Sequence, residues 1–156
     1  MRSIVIIFLS LLAAYVALPY YTLYELDHAV MENDRGALAK LVDLAAVRES
    51  SRSNLMGESP RETPDNPVST WFQDGVELLG KKAINALINL DWVRNVLRSK
   101  NDTSSNEKGS MLGNVSYAFF EGIDRFVFRV GQLGQQPVHV RMERQGWDWR
   151  VTALFE

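Results

Sequence analysis

An uncharged, strongly apolar stretch at the start of the chain is the feature that most constrains its fold. The stretch runs from Ser3 to Tyr24, between Arg2 and Glu25, the first two charged side chains. At about 1.5 Å per residue it would reach about 33 Å as a helix, and the hydrocarbon core of a bilayer is about 30 Å thick. The stretch is therefore long enough to cross a membrane once.

The end of this stretch divides the chain into two parts. Residues 1–25 are predicted to form a transmembrane anchor, and residues 26–156 are predicted to form one soluble domain. The second part has the size of an ordinary domain and can bury a hydrophobic core without the help of disulfides or metal ions. The chain contains no Cys, which excludes disulfides and thiolate metal sites.

Two other interpretations of the apolar stretch remain open. A cleaved signal peptide needs small residues before the cleavage site. The best candidate, after Ala17, has Tyr15 where one of these small residues is required. A helix buried in a soluble core rarely runs this far without a polar face. We favour an uncleaved anchor.

The charges on either side of the stretch predict its orientation. Arg2 and the amino terminus are positive, whereas Glu25 and Asp27 follow the stretch. Positively charged flanks tend to stay in the cytoplasm. We therefore expect a single-pass protein of the bacterial inner membrane that contacts lipid through residues 3–24, with its soluble domain on the periplasmic side.

Residues 26–100 have the apolar spacing of helices. The anchor is expected to continue without a break into the first of them, and Asn33 or Asp34 is placed to cap a short second helix. Residues 57–67 hold three of the five prolines, which predicts a loop. The polar residues 101–113 predict a linker loop before the strands.

From residue 114 onward the apolar period changes to two, which predicts an antiparallel sheet in residues 114–156. Short connections around Gly122, Gly131 and Gly146 predict a four-stranded meander. Alternate side chains of a strand point to opposite faces, so we expect one apolar face and one mostly charged face. The residues predicted for the apolar face are Val115, Tyr117, Phe119, Phe126, Phe128, Val130, Val138, Val140, Met142, Trp147, Trp149, Val151, Ala153 and Phe155.

The order of these elements predicts the fold class. Helices come first and strands last, which is typical of an α+β domain with several helices on one face of the sheet. This order, together with an aromatic-lined sheet, is similar to the cone-shaped NTF2-like fold. The similarity concerns architecture alone and implies no function.

Two segments of the chain carry distinctive motifs. One follows the anchor, and the other is a Gly- and Trp-containing strand near the end of the chain. The residues are Asp34, Leu38, Leu41, Val42-Asp43 and Val47-Arg48, then Gly146-Trp147-Asp148-Trp149-Arg150-Val151. They resemble a family of small bacterial proteins classed only as a domain of unknown function. The resemblance covers most of the chain and implies a membrane anchor with a soluble domain, but no activity.

Side chains with catalytic or metal-binding chemistry are few. His28 and His139 are the two histidines, and their spacing matches no metal-binding motif. Standard nucleophile and phosphate-loop motifs are also missing. We therefore expect no metal, no cofactor and no enzymatic activity. An open polar cavity containing Asp74, Asp148 or His139 would instead favour an enzyme that uses a single acid or base.

The charge balance argues against nucleic acid as a partner. The chain has 17 Lys and Arg against 19 Asp and Glu, a net charge of −2. A nearly neutral protein of this kind lacks the basic surface that attracts phosphates. We therefore expect the partners to be the lipid bilayer and a membrane protein.

Four aromatic side chains are the candidates for a ligand site. Trp71 and Phe72 lie in a predicted helix, and Trp147 and Trp149 lie in the predicted last strand. They could line a pocket between the helices and the sheet for an apolar or ring-shaped ligand. The alternative is that they belong to the core, as large inward-facing aromatics usually do.

These observations favour one function and leave a second open. A stiff anchor and a domain without catalytic motifs predict a non-enzymatic accessory or assembly subunit of an inner-membrane or envelope complex. The alternative is a small-ligand binding module that uses the aromatic pocket.

Overall fold

Helices precede a single antiparallel sheet in the computed structural model, which describes residues 2–57, 86–99, 110–131 and 137–155. The α+β prediction is confirmed. Most of the predicted loop at 57–67 and most of the linker at 101–113 lie outside the described residues. The described helices are α1 (Arg2–Glu32), α2 (Arg35–Leu41), α3 (Leu44–Gly57) and α4 (Leu90–Ser99), with a 3-10 turn at Met111–Asn114. The strands are β1 (Val115–Phe120), β2 (Arg125–Val130), β3 (Val138–Gln145) and β4 (Asp148–Phe155).

Helix α1 is continuous but has two parts in different surroundings. Every side chain from Arg2 to Ala14 is exposed. From Tyr15 onward, one side of the helix is buried against the domain. The predicted anchor therefore continues into the first helix of the domain, and its residues 15–25 already pack there on one side. The buried residues of α1 are Pro19, Thr22, Leu23, Leu26, Asp27, Ala29 and Val30.

The contacts of α1 fix its direction across the sheet. The Tyr15 hydroxyl donates to the backbone carbonyl of Ile123, in the turn between β1 and β2. One strand length away, the Asp27 carboxylate accepts a hydrogen bond of 2.6 Å from the Ser110 hydroxyl, shortly before β1 begins. Helix α1 therefore runs antiparallel to β1, and its exposed half projects beyond the end of the sheet that carries the β1–β2 turn.

The core lies between α1 and the inner face of the sheet. Phe126 and Phe128 of β2 are completely buried, and the Tyr20 ring of α1 packs edge-on against Phe126 at 4.9 Å between centroids. The other helices each contribute apolar side chains to the same cluster. These are Leu38 of α2, Val47 of α3, and Val93 and Leu97 of α4.

The strands pair in the order β1-β2-β3-β4, which confirms the predicted meander. A register shift between Val115 and Tyr117 changes the faces of β1. Val115 still faces the core, but Tyr117 lies opposite Arg129 on the outer face, and Phe119 follows it there. The prediction that Tyr117 and Phe119 face the core is wrong, because a bulge adds one residue and reverses the alternation.

A second bulge has the same effect in β4. Met142 pairs with Val151, whereas the preceding residue of β3 pairs with Ala153, so β4 contains an extra residue. Leu154 consequently joins the core. Ala153 and Phe155, predicted to face inward, lie on the outer face.

The outer face carries mixed charges and aromatic rings. The His139 ring stacks on Phe155 at 5.4 Å between centroids, and the Arg129 guanidinium lies 4.6 Å from the centre of the Tyr117 ring. Arg141 pairs with Glu121 at 3.5 Å. The expected charged face is therefore present, with aromatic side chains interleaved.

Asp43 joins helix α3 to the hairpin formed by β3 and β4. Its backbone N–H donates to the Val151 carbonyl at 2.9 Å. Its carboxylate accepts from the Gln145 amide at 2.7 Å and from the Ala46 backbone N–H at 3.1 Å, as a helix N-cap does. These hydrogen bonds, that from Gln145 first, lower the pKa of the Asp43 carboxyl.

We predict that Asp43→Ala lowers the free energy of unfolding by about 1 kcal/mol, the usual cost of losing an N-cap. The pH dependence follows from the lowered pKa. The stability that the ionised group contributes is complete above the ordinary Asp pKa of about 3.9 and is lost as the pH falls through the lower folded value. Urea unfolding of the full chain in detergent micelles, at pH 7 and pH 3, measures both effects.

Asp43→Asn is the control for the charge, because its amide oxygen can still accept from Ala46. The difference in unfolding free energy between wild type and Asp43→Asn should shrink at pH 3. A difference that stays constant or grows at low pH would contradict this assignment.

Candidate functional site

An open groove lies between the outer side of α1, helix α2 and the start of β4. Its volume is about 1010 Å³. Binding sites for small molecules commonly measure about 300–1,000 Å³. The groove is therefore at the upper end of the range for a ligand pocket and could also accept a segment of a partner protein.

The wall formed by α1 is apolar and aromatic. Leu18, Tyr21 and Tyr24 line it, with 39%, 61% and 59% of each residue exposed. They recur every three residues, so they lie along one side of the helix. The opposite side of the same segment packs on the sheet through Tyr20, whose hydroxyl donates to the Ala118 carbonyl at 3.2 Å. Packing on the sheet therefore holds this wall in place.

The part of the groove farther along α1 is polar. Glu25, His28 and Lys40 line it, and His28 lies 3.1 Å from the exposed carboxylate of Glu32. The Asp34 carboxylate accepts from the backbone N–H groups of Gly36 and Ala37 at 2.8 and 3.0 Å, so the prediction that it caps α2 is confirmed. The groove thus combines an aromatic wall with a polar part that carries both signs of charge.

Two of the four predicted ligand-binding aromatics border this groove. Trp147 lies in the β3–β4 turn and is 88% exposed, whereas Trp149 is 2% exposed. Trp149 packs edge-on against Phe120 at 5.8 Å between centroids, so most of this side chain belongs to the core. Trp71 and Phe72 lie outside the described residues.

The location of the groove differs from the predicted one. The alternative hypothesis places a pocket between the helices and the inner face of the sheet, but among the described residues core side chains fill that space. The groove lies instead beside the outer side of α1. The sequence prediction placed Tyr21 and Tyr24 at the exit end of the anchor, and their regular spacing with Leu18 was the signal that could have indicated one exposed side of a docked helix.

Two of the three residues considered for an enzymatic alternative, Asp148 and His139, lie apart. Asp148 lines the groove, His139 stacks on Phe155 on the outer face of the sheet, and Asp74 lies outside the described residues. Within the described ranges, no three His, Asp or Glu side chains converge in a way that could hold a metal ion.

Comparison with known proteins gives one match. Residues 8–96 match the family described as Protein of unknown function (DUF2939), in a region that begins in the exposed half of α1 and ends within α4. Comparisons with curated proteins and with solved structures found no match. The match covers more than half of the chain and agrees with the resemblance seen in its motifs. The chain belongs to this family of proteins of unknown function.

Proposed function

We propose that the protein is a single-pass membrane protein that acts as a non-enzymatic accessory subunit of a complex in the bacterial inner membrane or envelope. One observation carries the proposal. Helix α1 is long and apolar enough to span a membrane, and its second half belongs to the core of the domain. A domain fixed to its anchor in this way stays at the bilayer, so its partners must lie in the membrane or close to it.

The surroundings of α1 support membrane insertion of its first half. Ile4, Ile7, Phe8, Leu9 and Leu11 each expose more than half of their surface. Transfer of apolar surface from water to lipid is favourable by about 25 cal/mol per Å². Arg2, which precedes the apolar half, favours a cytoplasmic start of the helix, and we therefore propose that the domain lies on the periplasmic side.

The groove is the surface that best fits a partner. Its aromatic wall lies on α1 itself, directly after the segment assigned to the membrane, and exposed aromatic side chains are enriched at protein interfaces. A partner anchored in the same bilayer could therefore reach Leu18, Tyr21 and Tyr24 without leaving the membrane surface.

A second function has one observation in its favour. The volume and the mixed lining of the groove also suit an amphipathic small molecule, with its apolar part against Tyr21 and its polar part near His28 and Lys40. In that case the groove binds the molecule directly, and purification would yield the chain without a stoichiometric protein partner.

The first prediction concerns the anchor. We expect the double variant Leu9→Asp with Leu12→Asp to move from the membrane pellet to the soluble fraction in alkaline carbonate extraction. Each Asp near the centre of a spanning helix costs about 2.5–3.5 kcal/mol on insertion scales. Asn95→Asp, on the exposed surface of α4, is the control and should remain with the membrane. Release of the wild-type chain by carbonate would contradict the proposal.

The second prediction concerns the groove. We expect the wild-type chain to co-purify in mild detergent with a membrane protein at a fixed ratio. The double variant Tyr21→Ala with Tyr24→Ala should lose most of this partner, because it removes two exposed rings from the groove wall. Quantitative mass spectrometry of the purified complex measures the ratio.

Phe119→Ala is the matched control, because Phe119 is also an exposed aromatic residue, 47% exposed, but on the outer face of the sheet. It should leave the ratio unchanged. Purification of the wild-type chain alone, or equal loss in the control, would count against the groove as the partner site.

A further inference from the structure

Two apolar side chains at the ends of hairpins are highly exposed. Ile123 lies in the β1–β2 turn and is 81% exposed, and Trp147 lies in the β3–β4 turn and is 88% exposed. Single exposed apolar side chains are common on proteins and indicate nothing by themselves. The position of these two relative to α1 gives them significance.

Both turns lie at the end of the sheet from which the exposed half of α1 projects. In a meander, the first and third turns are at the same end, and here the Arg144 N–H donates to the Asp124 carbonyl at 2.9 Å, which brings the two turns side by side. The Tyr15 hydroxyl binds the Ile123 carbonyl. Tyr15 is also the first residue after the fully exposed part of α1.

The attachment of α1 at Tyr15 places the two turns close to the bilayer. The exposed apolar part of α1 ends at Ala14, and the next residue, Tyr15, is held to the β1–β2 turn. When the exposed part lies in lipid, as proposed for the anchor, the β1–β2 turn and the adjacent β3–β4 turn lie beside it at the membrane surface.

We infer that the turns carrying Ile123 and Trp147 enter the lipid interface beside α1, on the domain side of the bilayer. This contact rests on the proposed membrane anchor. Tryptophan is enriched at the membrane–water interface, where its apolar ring and polar N–H are both accommodated.

Charged neighbours set the depth of the contact. Asp124 and Arg125 follow Ile123, Arg144 precedes the second turn, and Asp148 follows Trp147; all four side chains are exposed. Charged groups are costly in the hydrocarbon core. The turns therefore reach the level of the headgroups while these charges remain hydrated.

The mixed signs of these charges also identify the kind of lipid surface. Two acidic and two basic side chains offset each other, so nothing in the turns selects anionic lipids. The contact consists of two single apolar side chains, Ile123 and Trp147, which insert separately. They do not form the contiguous apolar patch that a protein partner would cover. A neutral phosphatidylcholine bilayer should be sufficient.

The absence of Cys from the chain permits a direct test with single-cysteine variants of the full protein. Ile123→Cys and Trp147→Cys would each carry an environment-sensitive fluorophore. Leu9→Cys, in the projecting half of α1, and Asn95→Cys, on the surface of α4, are the lipid and water references. Each protein is reconstituted in phosphatidylcholine vesicles that contain a lipid spin label near the acyl carbonyl or near the chain end.

The labels at 123 and 147 should emit at shorter wavelength than the label at Asn95. They should be quenched more strongly by the spin label near the acyl carbonyl than by the spin label near the chain end. The label at Leu9 should be quenched by the deep spin label, and the label at Asn95 by neither. Labels at 123 and 147 that behave like Asn95, with Leu9 in lipid, would overturn the interfacial contact alone. A label at Leu9 that also behaves like Asn95 would overturn both the contact and the anchor.

Discussion

The packing of α1 on the inner face of the sheet is the interaction on which the rest of the structure depends. Leu23, Leu26 and Val30 bury completely or nearly so in the core. Polar contacts fix the helix at both ends of this segment, through Tyr15 at the β1–β2 turn and Asp27 at the 3-10 turn. The orientation of the projecting half of α1 and the position of the groove both follow from this packing.

Helix α1 has two parts in different surroundings. Apolar residues before Tyr15 have no partner among the described residues and are suited to lipid, whereas those after it alternate between the core and the groove. The helix that is long and apolar enough to span a membrane therefore also forms a wall of the groove. If the proposed function is right, a change that loosens α1 from the sheet disturbs both anchoring and partner binding.

Much of the fold follows from sequence patterns. The change from helical to two-residue period predicted the sheet and its meander order, and Asp34 was identified as a cap because its carboxylate can accept from the N–H groups that begin a helix. The sequence patterns did not predict which face of the sheet carries Tyr117, Phe119, Ala153 and Phe155. A bulge depends on how two strands pair, and the alternation of residues within one strand does not show where a bulge will form.

The candidate site was harder to predict than the fold. Trp147 and Trp149 are two residues apart, a spacing that would place both side chains on the same face of one strand. Gly146, with φ +69°, forms the turn between β3 and β4, so Trp147 lies in this turn at the end of the hairpin. For α1, an apolar side chain that faces lipid and one that faces a sheet look the same in sequence. The uncharged stretch therefore placed Tyr21 and Tyr24 at the exit end of the predicted anchor, which stays a prediction.

We propose that α1 remains docked on the sheet when the protein is in the bilayer. A membrane-impermeant thiol reagent, added on the domain side of reconstituted vesicles that contain single-cysteine variants, tests this proposal. We expect Cys at Val5 and Leu12 to be protected, whereas Cys at Tyr21 and Tyr24 reacts readily. Protection of Tyr21 and Tyr24 to the same degree as Leu12 would contradict it, because the membrane would then cover the helix through Tyr24.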